Sequence, residues 1–178
     1  MKIELKKISV YERLSEETTA FNAEIYADGV NIGYAKNDGQ GGCTWYHAHE
    51  GKQDLMKKAE EYAKSLPPMK FKLYEGGQEH SIDMNMEHLI DNLLTEYLTE
   101  RDNKKFFKKR EKDMINNIVF GNPNELRYRL IGWKVSLDVI RGMNNGEAKI
   151  KEVIARVKGE LKEGEKILNT NLPLEWIK

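Results

Sequence analysis

The sequence predicts an α+β fold, in which an N-terminal antiparallel β-meander packs against helices in a single compact unit. Residues 2–35 alternate apolar and polar side chains in three successive runs, the pattern of half-buried strands. Asp28-Gly29 separates two of these runs and is typical of a tight hairpin turn. Later segments repeat apolar residues at helical spacing.

The three predicted strands of the meander occupy residues 2–14, 19–27 and 30–35. In the first strand the alternation slips at Lys6-Lys7, which indicates a β-bulge. Two further strand pairs are predicted, one joining residues 69–74 to 80–84 and the other joining residues 117–120 to 126–135.

The first predicted helix covers residues 52–66 and ends at Pro67-Pro68. The second begins after Asn85, a good N-cap residue, and carries a regular apolar stripe from Met86 to Leu98. We expect Asp102-Asn103 to interrupt it. The last helix starts near Asn145 or Gly146 and ends at Gly164, and a tail with Trp176 and Ile177 docks on the body. We expect one domain over residues 1–178, with residues 1–84 and 85–178 as candidate sub-lobes.

The composition restricts the function classes. The chain of 178 residues carries 29 basic and 29 acidic side chains, so nucleic-acid binding requires local segregation of charge. One cysteine excludes a disulfide within the chain and is typical of a reducing compartment. There is neither a signal-peptide pattern nor an apolar run of about 20 residues. We therefore expect a cytoplasmic protein with no membrane partner.

The segment from Gly33 to His49 concentrates recognition-type side chains. We expect a strand to enter it and a helix to leave it, because backbone N–H groups in such a glycine-rich connection can hold an anion. It matches neither a Walker loop nor a dinucleotide-binding motif. A bend without a ligand is the competing interpretation. The predicted ligand-binding residues are Lys36, Gly39, Gly41, Gly42, Trp45, Tyr46, His47 and Lys52.

The same segment offers metal-ligating side chains in a Cys43-x3-His47-x-His49 spacing, with Asp38 and His80 as further candidates. Zinc takes three or four such ligands, although this spacing is not that of a known zinc finger. The alternative is that the cysteine and histidines serve local packing. No nucleophile–base pair or carboxylate dyad is convincing, and we expect no enzymatic activity.

A second candidate surface is strongly basic. Phe106 and Phe107 lie within it, so cationic side chains for phosphates stand next to rings that can stack on bases. The competing interpretation is a solvated helix edge whose phenylalanines enter the core. The predicted nucleic-acid-binding residues are Lys104, Lys105, Lys108, Lys109 and Arg110.

Three stretches resemble a group of small uncharacterised phage and prophage proteins. They are the run from Gly33 to His47, the helix ending Tyr62-Ala-Lys-Ser-Leu-Pro67, and the block Lys104-Lys-Phe-Phe-Lys-Lys109. The resemblance implies a mobile-element origin and points to no particular catalytic activity.

The sequence hypothesis is therefore a phage or mobile-element protein that binds an anionic partner, either a nucleotide-like ligand or a nucleic acid. Antagonism of a host defence system is one role for such a protein. One alternative is a metal-dependent hydrolase that uses Cys43, His47 and His49, with zinc as the candidate ion. The other is an accessory factor that binds only proteins, through Trp176 and Ile177 or through the helix that begins at Met86.

Overall fold

Four antiparallel strands form the N-terminal sheet, in the order β1-β2-β3-β4. The computed structural model describes residues 1–178 and assigns β1 to Ile3–Val10, β2 to Phe21–Ala27, β3 to Val30–Asn37 and β4 to Trp45–Ala48. The predicted α+β class is confirmed. The first strand is shorter than predicted, because a 3-10 helix occupies Glu12–Leu14.

Both local signals in the meander are confirmed. The pairing of β1 with β2 shifts between Lys6 and Ser9, and Lys7 takes a positive φ of 49°, which is the predicted bulge. Asp28 and Gly29 both have positive φ and join β2 to β3, because a two-residue turn of this kind matches the twist of the strands.

One face of this sheet is covered by α1 (Gln53–Lys64) and by the first part of α2 (Met86–Met114). The buried face of β2 carries the alternating residues that the sequence predicts, and helical side chains close the core over it. The largest fully buried side chains in this cluster are Phe21, Ile25, Ile32, Met86 and Ile90. A separate hairpin pairs β5 (Met69–Lys72) with β6 (Glu79–Ile82), as predicted.

Helix α2 is continuous from Met86 to Met114, so the predicted interruption at Asp102-Asn103 is wrong. Asp102 lies on the exposed side of the helix and pairs with Arg101 at 2.9 Å. The low helix propensity of Asp and Asn is a weak preference that the surrounding context overrides. The predicted cap is confirmed, since the Asn85 side chain accepts a hydrogen bond from the His88 N–H at 2.8 Å.

The second half of the chain has its own core. Strands β7 (Asn117–Gly121), β8 (Arg129–Gly132) and β9 (Lys166–Ile167) form a sheet in the order β8-β7-β9, and the helices are α3 (Leu137–Arg141), α4 (Gly146–Glu160) and α5 (Leu174–Ile177). Helix α4 ends before Gly164. The buried cluster includes Ile118, Phe120, Leu137, Ile150, Ile154 and Val157, with Trp176 and Ile177 of the tail packed against it.

The packing divides the chain into two units, Met1–Leu98 and Thr99–Lys178. This boundary lies within α2, further along the chain than the candidate sub-lobe boundary at residue 84. No helix has the length and apolar character that crossing a bilayer requires.

Candidate binding surfaces

The glycine-rich segment connects two strands of the sheet rather than a strand to a helix. Trp45–Ala48 form β4, a strand that was not predicted, and β4 pairs antiparallel with β3. The glycines lie in the short connection between these strands and do not precede α1. The helix-terminus arrangement that motivated an anion site is therefore absent at the glycines.

Gly39 is buried in this connection and makes internal contacts. Its carbonyl accepts hydrogen bonds from the backbone N–H groups of Glu16, Glu17 and Thr18, and its own N–H donates to the Asn37 side chain at 2.8 Å. A Cβ at this position would lie 2.2 Å from the Leu14 carbonyl oxygen. Gly39 therefore serves close packing of the backbone.

The other two glycines of the predicted site are also tied to neighbouring groups. The Gly41 N–H donates to the Thr18 hydroxyl at 3.3 Å, and the Gly42 carbonyl accepts from the Asn37 amide at 3.0 Å. An anion site needs several unpaired N–H groups aimed at one point. The local structure instead uses these groups to fix the loop against Thr18 and the Asn37 side chain.

The aromatic residues of the predicted site lie on opposite faces of β4. Trp45 and His47 point outward and stack at 6.5 Å between ring centroids, and Tyr34 on β3 contacts His47 at 5.6 Å. Tyr46 points inward, where its hydroxyl donates to Glu60 at 3.1 Å. Burial, together with the charge of Glu60, raises the pKa of Tyr46 to about 12. Tyr46 therefore belongs to the core side of the sheet.

The two lysines of the predicted site are separated as well. Lys36 is the cross-strand partner of Trp45 and lies 3.7 Å from the Asp38 carboxylate. Lys52 is the N-cap residue of α1 and donates its backbone N–H to His49. The structure thus distributes the predicted ligand-binding set over a loop, two sheet faces and a helix end.

The metal-ligating candidates do not form a site of the expected kind. No group of three or more His, Cys, Asp and Glu side chains is arranged to hold a metal ion. Cys43 is exposed in the loop, whereas His49, like His47, lies beside Tyr34. His80 stacks on Phe71 in the β5–β6 hairpin.

A polar cleft of about 220 Å³ lies beside the glycine-rich connection, and no pattern in the sequence predicts it. Thr44 donates its N–H to Glu87 at 3.0 Å and its hydroxyl to Asp91 at 2.7 Å. Burial raises the pKa of the Asp91 carboxyl, and the neighbouring charge of Glu87 adds to this effect. The electrostatic character of this cleft is acidic, which disfavours an anion.

The basic segment forms an ordered surface on α2. At about 100° per residue, its five lysines fall within an arc of about 140° on one side of the helix. All five are exposed. Lys104 pairs with Glu100 at 3.4 Å, while Lys108, Lys109 and Lys112 have no carboxylate within ion-pair distance. We refer to this surface as the lysine face; it consists of Lys104, Lys105, Lys108, Lys109 and Lys112.

Arg110 lies on the other side of the helix, apart from the lysines with which the sequence analysis grouped it. It is half-buried and its guanidinium stands 4.8 Å from the centroid of Phe107. Phe106 packs edge-on against Tyr128 at 5.3 Å. Phe106 therefore belongs to the packed side of α2, whereas Phe107 is 40% exposed beside Arg110. Neither ring falls within the arc of the lysines.

Charge is segregated between the two units. Met1–Leu98 contain 11 Lys and Arg against 17 Asp and Glu, whereas Thr99–Lys178 contain 18 against 12. The neutral total therefore conceals an acidic unit and a basic one. The lysine face lies on the basic unit.

The chain matches no family model, no curated protein and no solved structure.

Proposed function

We propose that this protein binds nucleic acid, and that the lysine face of α2 contacts the phosphate backbone. The observation that carries the proposal is the position of five exposed lysines on one side of a continuous helix. Lysines that contact phosphates release condensed counterions, and this release drives binding without sequence preference.

The lysine face places like charges one turn apart on its helix, which favours a functional interpretation. Lys104–Lys108, Lys105–Lys109 and Lys108–Lys112 are like-charge pairs one turn apart. Each such pair destabilises a helix by about 0.2–0.5 kcal/mol. A helix surface that only faces solvent is more stable with mixed charges. A bound polyanion, in contrast, relieves the repulsion between these lysines.

The dimensions of the lysine face suit an extended polyanion better than a nucleotide-like ligand. Residues 104 to 112 cover about 12 Å along the helix axis. Duplex DNA carries one charge per roughly 1.7 Å, so a segment of that length presents about seven phosphates. A small ligand requires a pocket that buries most of its surface, and these lysines lie on an open, exposed helix surface.

Measurement of affinity against salt concentration tests the proposal. We expect wild-type protein to bind a labelled duplex oligonucleotide at low salt, with an affinity that falls steeply as salt rises. The variant Lys108→Gln/Lys112→Gln should bind several-fold more weakly, with a salt slope that is shallower by about one for each lost phosphate contact.

The matched control is Lys57→Gln/Lys58→Gln, which removes the same charge from exposed positions on α1. It should leave both affinity and slope unchanged. Equal losses in the two variants, or no binding by wild-type protein at low salt, would refute the proposal. Antagonism of a host defence system stays a prediction from the sequence.

A further inference from the structure

Strand β4 is the last strand of its sheet, and one edge of it has no strand partner. The N–H of His49, the residue after β4, donates to the carbonyl of Ile32 on β3. Because bonded and non-bonded pairs alternate in an antiparallel ladder, the backbone N–H and C=O groups of Tyr46 and Ala48 point away from β3. The Thr44 N–H points the same way and is satisfied by Glu87. Two residues of β4 therefore keep open hydrogen-bonding groups.

The other edge of the sheet is protected more strongly than β4. β1 carries a bulge at Lys7 and two adjacent exposed lysines, features by which natural sheets prevent strands from adding to an edge. Trp45–Ala48 contain no Lys, Glu, Asp or Pro, and their pairing with β3 shows no register shift. The protective features at this edge are the shortness of β4 and the Glu87 carboxylate that occupies the Thr44 N–H.

The two sides of the β4 edge have different chemistry. Trp45, 57% exposed, and His47 stand on the outer side. On the inner side, Glu60 lies at the Tyr46 hydroxyl and Glu87 lies at the Thr44 N–H. The charges of both carboxylates contribute to the raised pKa of Tyr46, which places both of them close to this strand.

We infer that β4 docks an extended, cationic segment of another protein by strand addition. An added strand would pair its backbone with Tyr46 and Ala48 and would send alternate side chains to opposite faces. Lysine or arginine side chains on the inner side would meet Glu60 and Glu87. On the outer side, a cation or an apolar group would lie against the exposed face of Trp45.

Charge favours this occupant over two others. The unit that contains β4 has 17 acidic against 11 basic residues, so it attracts a cationic segment and repels the phosphates of a nucleic-acid strand. Pairing of β4 with β4 of a second copy would bring the carboxylates of both copies to one seam, where like charges repel.

The test uses the full chain and a short synthetic peptide of alternating Lys and Val as the probe. Amide hydrogen exchange, followed by NMR, should slow about tenfold or more at Tyr46 and Ala48 in the presence of millimolar peptide, because new backbone hydrogen bonds protect those groups. The same peptide with Glu in place of Lys should give little protection. Methylation of alternate peptide nitrogens should abolish protection, since strand pairing requires those donors.

Three protein variants separate charge recognition at β4 from general effects on folding and from nucleic-acid binding. Glu60→Gln should weaken the Lys/Val peptide several-fold, whereas the exposed neighbour Glu61→Gln should not. Lys108→Gln/Lys112→Gln should bind the peptide as wild type does. Loss of peptide binding can therefore be distinguished from loss of nucleic-acid binding. Absence of protection at Tyr46 and Ala48, equal binding of the Glu peptide, or a dimer joined at β4 would overturn the inference.

Discussion

Glu87 on α2 accepts a hydrogen bond from the backbone N–H of Thr44 at the start of β4, at 3.0 Å. This contact joins the glycine-rich connection to the helix one residue before the strand begins. Asp91, one turn further along α2, accepts from the Thr44 hydroxyl at 2.7 Å. The segment that the sequence predicts as an anion site is therefore anchored at its end by partly buried polar contacts.

Replacement of Asp91 by Asn tests this anchor through its pH dependence. The folded-state pKa of Asp91 lies above the ordinary value of 3.8, so the folded chain binds this proton more tightly than the unfolded chain. The free energy of unfolding contributed by Asp91 therefore falls as pH rises from 3.8 through the folded-state pKa. Asp91→Asn should remove this fall and, because Asn still accepts from Thr44, should be at least as stable at neutral pH. Denaturant titrations at a series of pH values check this, and Glu96→Gln at an exposed position is the control. A large loss of stability in Asp91→Asn at neutral pH would contradict the account.

Alanine substitutions test which glycines of the connection the fold requires. Gly39 has a φ of +89°, and a new Cβ there would clash with the Leu14 carbonyl at 2.2 Å. Gly39→Ala should therefore lower the free energy of unfolding by about 2 kcal/mol or more. Gly42→Ala should be close to neutral, because nothing lies within 4 Å of its added Cβ. Chemical denaturation measures both. If both substitutions changed the free energy of unfolding equally, the close contacts of Gly39 would not explain why a glycine occupies this position.

These two glycines also show the limits of sequence reasoning at this segment. The density of glycine correctly indicates unusual backbone geometry. It does not indicate whether that geometry serves a ligand or the fold, since either use needs the same freedom from a Cβ. The partners that decide the question, Leu14 and residues 16–18, lie more than twenty positions away in the chain. Short-range patterns carry no information about such contacts.

The tyrosines provide a titration test of local packing. Burial raises the pKa of both Tyr46 and Tyr128 to about 12, with help from Glu60 at the first and from a hydrogen bond to Asp113 at the second. An ultraviolet titration should show two of the 8 tyrosines ionising late. Because the folded chain holds these protons more tightly, stability should fall as pH rises from about 10 to about 12. Tyr46→Phe should remove one late transition; if all tyrosines ionise together while the chain remains folded, the packing described is incorrect.

Relief of charge on the lysine face should stabilise the helix while it weakens binding. Lys108 has like charges one turn away on both sides, at Lys104 and Lys112. Lys108→Gln should leave the free energy of unfolding unchanged or raise it by up to about 0.5 kcal/mol. Thermal denaturation and oligonucleotide titration on the same sample check this prediction. A variant that loses stability and affinity together would indicate a structural role for Lys108.

The lysine face is only partly visible in the sequence. The cluster of basic residues is evident, but the expected break at Asp102-Asn103 hides the fact that the lysines belong to one long helix. Without that continuity, Arg110 is grouped with the lysines because it is adjacent in the chain. In the helix it lies on the packed side, beside Phe107. The local hairpin and bulge were predictable because they depend on adjacent residues, whereas the orientation of this helix depends on packing.

NMR mapping of a short duplex oligonucleotide onto the full chain tests the central claim most directly. We predict that amide and lysine side-chain signals of Lys104, Lys105, Lys108, Lys109 and Lys112 shift on titration at low salt and return as salt rises. Signals of β3, β4 and the glycine-rich connection should remain in place. Shifts concentrated at Gly39, Gly41, Gly42 and Trp45, with the lysine face unaffected, would contradict the account.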